Sequence, residues 1–172
     1  MYPLINRDNS GCFSGYRPEK LPWGFDEEDL RCKELKAKIT EAAEQIHLSG
    51  IQHFICGMAR GSDTYFCESM FFLRSKYSGI TVEAAIPCET QSAGWREEDR
   101  IRYARLVDQC DQITYVGKEY TRSCMHRRNR YMVDNSSVIL AVFDGRLGGT
   151  NYTLSYAGRR GLEIIKIAPC KA

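Results

Sequence analysis

Residues 137–143 (SVILAVF) form an apolar run with a polar residue only at its start. A strand with one wet face alternates polar and apolar positions, and this run does not. It reads as a strand covered on both faces, as in a parallel sheet flanked by helices. Five further strand-like runs, residues 11–15, 51–56, 81–87, 112–116 and 162–168, alternate with stretches of helical spacing. The clearest helical stripe is Phe66, Met70, Leu73 and Tyr77. Another is Leu35, Ile39, Ala42 and Ile46, which Asp26 is placed to cap and Gly50 to end. Ile101, Ala104 and Val107 are read as one face of a charged helix over 96–110. Two more helices are read over 123–133 and from about 151 to 160. Strand–helix alternation of this kind predicts an α/β fold with a mainly parallel sheet of about six strands and helices on both sides. The 172 residues fit one domain spanning 1–172, with 1–10 as a loosely held lead-in.

Composition narrows the class. Hydrophobic residues make up 43% and charged residues 27%, which is expected of a folded globule. The net charge of +2 gives no general reason to expect nucleic acid or an anionic membrane. The apolar runs are too short for a membrane span, and the first residues carry no secretory pattern. The eight cysteines include no C-x-x-C pair and sit among apolar residues, so reduced thiols, a cytoplasmic location and no metal site are expected.

In parallel sheets ligands bind beyond the carboxyl ends of the strands. Four segments fall there: 15–17, 57–63, 87–91 and 144–150. Residues 51–68 (IQHFICGMARGSDTYFCE) read as a strand, a glycine-bearing turn and a helix. Such a turn gathers N–H groups where the helix dipole favours an anion, and Gly57 and Gly61 allow a close backbone approach. The segment is neither G-x-G-x-x-G nor a P-loop. Gly15 and the fixed ring of Pro18 hold Arg17 just past a strand end, suited to a two-pronged phosphate contact. Gly148, Gly149 and Thr150 open another helix with amides and a hydroxyl. Asp63 is either a helix cap or a carboxylate for ribose hydroxyls. Glu68 and Asp144 are the other acids on or near this rim, and Arg60 lies within the first glycine turn. Arg127, Arg128 and Arg130 read as a solvated helix face. Trp23 and Phe25 are read as packing on the core. No nucleophile or histidine metal spacing stands out, and the catalytic residues are left open.

Four pieces carry a family resemblance: Ser14 to Pro18 (SGYRP), Cys56 to Asp63 (CGMARGSD), Arg127 to Ser136 (RRNRYMVDNS) and Asp144 to Thr153 (DGRLGGTNYT). Together they resemble the SLOG superfamily, which includes the DNA-processing A proteins and the lonely-guy cytokinin-activating enzymes, and within it the YpsA-like bacterial branch. The resemblance implies a Rossmann-like three-layer domain that binds a nucleotide or nucleotide-derived ligand, ADP-ribose-like ligands included. It places Gly57, Arg60, Gly61, Asp63, Gly148, Gly149 and Thr150 on ligand positions and suggests a homodimer. The lonely-guy motif PGGxGTxxE has a catalytic glutamate where this chain has Thr153. Ligand binding or sensing is therefore the first expectation. The alternatives are an N-glycosidic (phosphoribo)hydrolase acting on nucleotides, drawing its carboxylate from Glu68 or Asp144, and a single-stranded DNA binder using the arginines and tyrosines, which the near-neutral balance disfavours.

Overall fold

The computed structural model describes residues 5–169. Six parallel strands form one sheet in the order β4-β3-β2-β1-β5-β6. They are β1 Ser10–Ser14, β2 His53–Cys56, β3 Thr81–Ile86, β4 Gln112–Tyr115, β5 Val138–Val142 and β6 Glu163–Ile167. Between them run α1 Leu30–Leu48, α2 Ser62–Lys76, α3 Glu97–Gln109, α4 Cys124–Asp134 and α5 Gly149–Arg159. The chain builds outward from β1 to β4, then α4 carries it back to β5, the other neighbour of β1. The strand order thus reverses between β1 and β5, and a crevice opens at such a point.

The central strands β1 and β5 are buried along their whole length, as the unbroken apolar run of β5 requires. Successive side chains point to opposite faces. Phe13, Phe54, Val82, Leu140 and Val142 meet Leu35 and Ile39 of α1, Phe66 and Met70 of α2 and Leu106 of α3. Cys12, Ile55, Ala85, Ile139 and Ala141 meet Met132 and Val133 of α4 and Leu154 and Ala157 of α5. Three helices therefore cover one face and two the other. Phe13 stacks on Phe66 with ring centroids 4.6 Å apart, tying β1 to α2.

Four expectations change. Arg7–Asn9 form a 3-10 turn capped by the Asn6 side chain, and Ser10 begins β1, so the second half of the expected lead-in is ordered up to the sheet, while residues 1–4 lie outside the described residues. α1 starts at Leu30, capped by Asp29, whose carboxylate accepts the Arg31 N–H at 2.8 Å. Asp26 instead caps a preceding turn through the Glu28 N–H. The buried side of α3 is Leu106 with Tyr103 and Val107, while Ile101 is 63% exposed; Tyr103 supplies the apolar bulk that a stripe starting at Ile101 omitted. Trp23 is buried, but Phe25 lies at the surface beneath Arg60 and Arg96.

Candidate functional site

The crevice at the β1/β5 reversal is a cavity of about 300 Å³. Gly15 and Arg17 reach it from the end of β1, Asp63 from the first turn of α2, and Gly149 and Thr150 from the start of α5. Met125, Arg128, Asn129 and Met132 close it from α4, and Phe13, Tyr16, Glu19, Lys20 and His126 are also on the wall.

The local folding follows from glycine. Gly61 precedes α2 with φ +82, and a Cβ there would stand 2.9 Å from the Tyr16 carbonyl oxygen. Only glycine allows the β1 exit to lie this close, with the Ser62 N–H donating to Tyr16 C=O at 3.1 Å. Met58, in the same loop, holds φ +58 without being glycine, a strained setting of the kind that gathers at ligand sites. At Gly57 an added Cβ would stand 2.5 Å from the Arg128 guanidinium. The bare backbone leaves room for Arg128 Nη1 to donate to the Gly57 carbonyl, which also accepts Gln91 Nε2–H at 3.1 Å.

Arg128 is only 4% exposed. Its Nε donates to Asn129 Oδ1 at 2.8 Å, and the Asn129 amide donates to Thr153 Oγ1 at 2.9 Å. Asp63, 5% exposed, accepts the Ala59 N–H at 3.0 Å. Burial pushes the Asp63 carboxyl up; the positive charge of Arg128 and the Ala59 bond pull it back without cancelling the rise. The cavity thus joins a buried cation to a carboxyl that holds its proton more tightly than usual. α5 opens at Gly148 with no side-chain cap, so its first amides are open to a ligand. Arg17 is exposed, and its side chain has no hydrogen bond or ion pair among the described residues.

Of the residues singled out from the sequence, Gly15, Arg17, Asp63, Gly149 and Thr150 come together on this wall. Gly57 stands behind it through its carbonyl, and Gly148 adjoins Lys20, whose ammonium donates to the Leu147 carbonyl at 3.1 Å. The others are not brought to it. Arg60 pairs with Glu19 at 2.8 Å beside Phe25 and Trp95, in a smaller cleft that Gly61 also lines. Glu68 pairs with Arg102 at 2.8 Å. Asp144 is held by Arg146 at 2.9 Å and by the Tyr16 hydroxyl at 2.6 Å; the Arg146 hydrogen bonds, joined by that from Tyr16, depress its carboxyl to about 2. Arg128 is the residue that sequence reasoning misplaced among solvated arginines. Its spacing carried the signal: Cys124, Arg128 and Met132 stand at i, i+4 and i+8, a cation inside a buried apolar row.

A family model described as the YspA SLOG family matches residues 11–162. The SPbeta prophage-derived protein YoqJ of Bacillus subtilis (strain 168) is 30% identical over 150 residues, covering 78% of this chain and 88% of that protein. A UPF0398 protein of Bacillus thuringiensis (strain Al Hakam) is 25% identical over 154 residues, covering 86% of this chain and 82% of that one. DNA processing protein A (DprA) from Streptococcus pneumoniae has a solved structure that superposes with a TM-score of 0.59 at 14% identity, over 92% of this chain and 50% of that one. This chain spans half the length of that DprA chain, and the likeness is one of fold alone.

Proposed function

The chain belongs to the YspA SLOG family, and from that premise we propose that it binds a nucleotide or nucleotide-derived ligand in the cavity between β1 and β5. The phosphate sits against the first amides of α5, with Arg17 and Arg128 supplying positive charge. The Asp63 carboxyl takes ribose hydroxyls, and Phe13, Met125 and Met132 offer an apolar wall for a base. The observation that carries this reading is Arg128, a guanidinium 4% exposed on the wall of a 300 Å³ cavity. Buried cations need a compensating partner, and of the two acids on this wall Asp63 has its own charge disfavoured while Glu19 is held by Arg60.

Binding is favoured over glycosidic cleavage by the state of the available acids. Thr153 bonds to Asn129 and to the Gly149 carbonyl, so no carboxylate stands at its place. Glu68 and Asp144 are engaged away from the cavity. Asp63 is the one acid of the three on its wall.

Titration calorimetry against a nucleoside monophosphate, a dinucleotide and ADP-ribose tests the reading. One of them should bind, and Arg17→Ala should weaken it about tenfold, equivalent to about 1.4 kcal/mol, with an unchanged melting temperature. No heat with any of the three, or equal affinity in Arg17→Ala, would remove the cavity from consideration. Release of free base from the monophosphate by wild type, lost in Asp63→Asn, would turn the reading to hydrolysis.

A further inference from the structure

The amino ends of β1 to β4, at the opposite rim of the sheet from the β1/β5 crevice, border a second cavity of about 330 Å³. Its wall includes His53, the first residue of β2, and Thr81, the first of β3, which are partners across these parallel strands. Two residues on, Glu83 points to the same side of the sheet. His53 bridges the two: its Nδ1 lies 2.8 Å from Thr81 Oγ1 and its Nε2 lies 2.7 Å from Glu83 Oε2. Thr81 is exposed, the His53 side chain is 17% exposed and that of Glu83 is fully buried. An open hydroxyl, an imidazole and a buried carboxylate therefore stand in a row.

The protons of this row follow from its buried end. Glu83 Oε1 accepts the Tyr131 hydroxyl at 2.6 Å from α4 and the Thr114 hydroxyl at 2.7 Å from β4. Gln112 Nε2 donates to Thr114 Oγ1 at 3.2 Å, which fixes the direction of that hydroxyl. Burial raises the Glu83 carboxyl, and the bonds from His53, Tyr131 and Thr114 more than offset it. An ionised carboxylate only accepts, so Nε2 of His53 carries the proton. In the neutral ring Nδ1 then turns its lone pair to Thr81, whose hydroxyl donates to it. A hydroxyl aimed at a base that a carboxylate holds in turn is the arrangement of an activated nucleophile, recognised by geometry whatever the order of the residues.

The surroundings select the substrate. Gln52 accepts the Asn9 amide at 3.1 Å through Oε1, and no hydrogen bond occupies its Nε2 among the described residues. A Cβ at Gly79 would stand 3.7 Å from that Nε2, so a free donor lies beside the turn leading into Thr81. The wall has no lysine or arginine among the described residues, and its acid, Asp111, is held by Arg74 at 2.8 Å. A charged substrate finds no partner there.

We propose that Thr81, His53 and Glu83 form a second, catalytic site that hydrolyses a small neutral carboxylic ester through an acyl-threonine. Thr81 Oγ attacks the ester carbonyl carbon as His53 Nδ1 takes the hydroxyl proton. The tetrahedral oxyanion, facing Gln52 Nε2, collapses; its bond to the alcohol oxygen breaks, and His53 returns the proton to that oxygen. Water then attacks the acyl carbonyl, again giving a proton to His53, which passes it to Thr81 Oγ as the acid leaves. Ester and water become acid and alcohol, with no change of oxidation state. Glu83 touches no substrate; it is a positioning residue that holds the tautomer of His53. The site shares no wall residue with the cavity between β1 and β5, so either can fail without the other.

Turnover of p-nitrophenyl acetate, with mass mapping of acid-quenched protein, tests the site. Hydrolysis should exceed that of buffer, and the trapped acetyl group should sit on Thr81. Thr81→Ala should lower the rate at least about a hundredfold with an unchanged melting temperature, because this residue is exposed, and Thr81→Ser should retain it. Imidazole nitrogen NMR in mildly alkaline buffer reads the positioning role: His53 should carry its proton on Nε2, and Glu83→Gln should move part of that population to Nδ1. No turnover, equal turnover in Thr81→Ala, acetyl groups confined to other residues, or a wild-type proton on Nδ1 overturns the site. Thr81-dependent hydrolysis of p-nitrophenyl phosphate would overturn the neutral ester as its substrate.

Discussion

The two sides of the sheet treat charge in opposite ways. The α1–α3 side closes its ion pairs internally, with Arg102 bridging Glu27 and Glu68 as its hub. The α4–α5 side buries one arginine at a cavity and leaves others to hydroxyls and rings. Both sides pack an apolar core against the same strands. Folding therefore does not explain the contrast, because either arrangement supports the sheet. The difference teaches that positive charge left without acids is charge available to a ligand.

The sharpest way to break this contrast is to remove one arginine from each side. Arg128→Met should destabilise by about 3 kcal/mol in urea titrations, because it strips a hydrogen bond from the Gly57 carbonyl and the compensating charge from Asp63. Arg102→Met, at a pair whose side chains are 26% and 33% exposed, should lose about 1 kcal/mol and leave ligand affinity unchanged. Equal losses would erase the distinction.

A smaller effect distinguishes the two buried acids. Burial raises the Glu83 carboxyl, but hydrogen bonds from His53, Tyr131 and Thr114 outweigh it and hold it below its ordinary value. Asp63 is left above its ordinary value. A lowered acid contributes stability above its unfolded value and loses it as pH falls through the folded one; a raised acid does the reverse. Comparing urea midpoints from about pH 3 to pH 7, the excess of wild type over Glu83→Gln should grow as pH rises. The excess over Asp63→Asn should shrink. Parallel curves for the two variants would show that the acids share one environment.

The smallest effect belongs to the open cations. Arg130→Ala should change stability by no more than about 0.5 kcal/mol in thermal melts, since only a hydroxyl and ring contacts are lost. A larger loss would make Arg130 part of the scaffold and sharpen the contrast into one between two packed faces.

Much of the fold was legible because burial on both faces leaves a mark on composition. The run at 137–143 became β5, and the stripe of Phe66, Met70 and Leu73 became the buried side of α2. Where a single polar residue sets an end, the pattern went astray: Asp26 and Asp29 are equally good caps on paper, and it is Asp29 whose carboxylate meets the first turn of α1, while Asp26 takes the Glu28 N–H. Within the site, glycines at strand ends could be read directly, since Gly15 and Gly149 lie at the rim wherever the strands stop. The partners of charged groups could not. Glu68 and Asp144 looked available until Arg102 and Arg146 occupied them.

By itself the sequence determined the alternation of strand and helix, the burial of the central strands and the glycine turns that end them, because these depend on residues close together along the chain. Tertiary structure alone decided what the buried arginine holds, which acids are engaged and on which face the unpaired cations collect. Those outcomes depend on contacts such as Arg128 with Gly57, seventy-one residues apart, and electrostatic partnership is fixed by distance in space rather than by order in the chain.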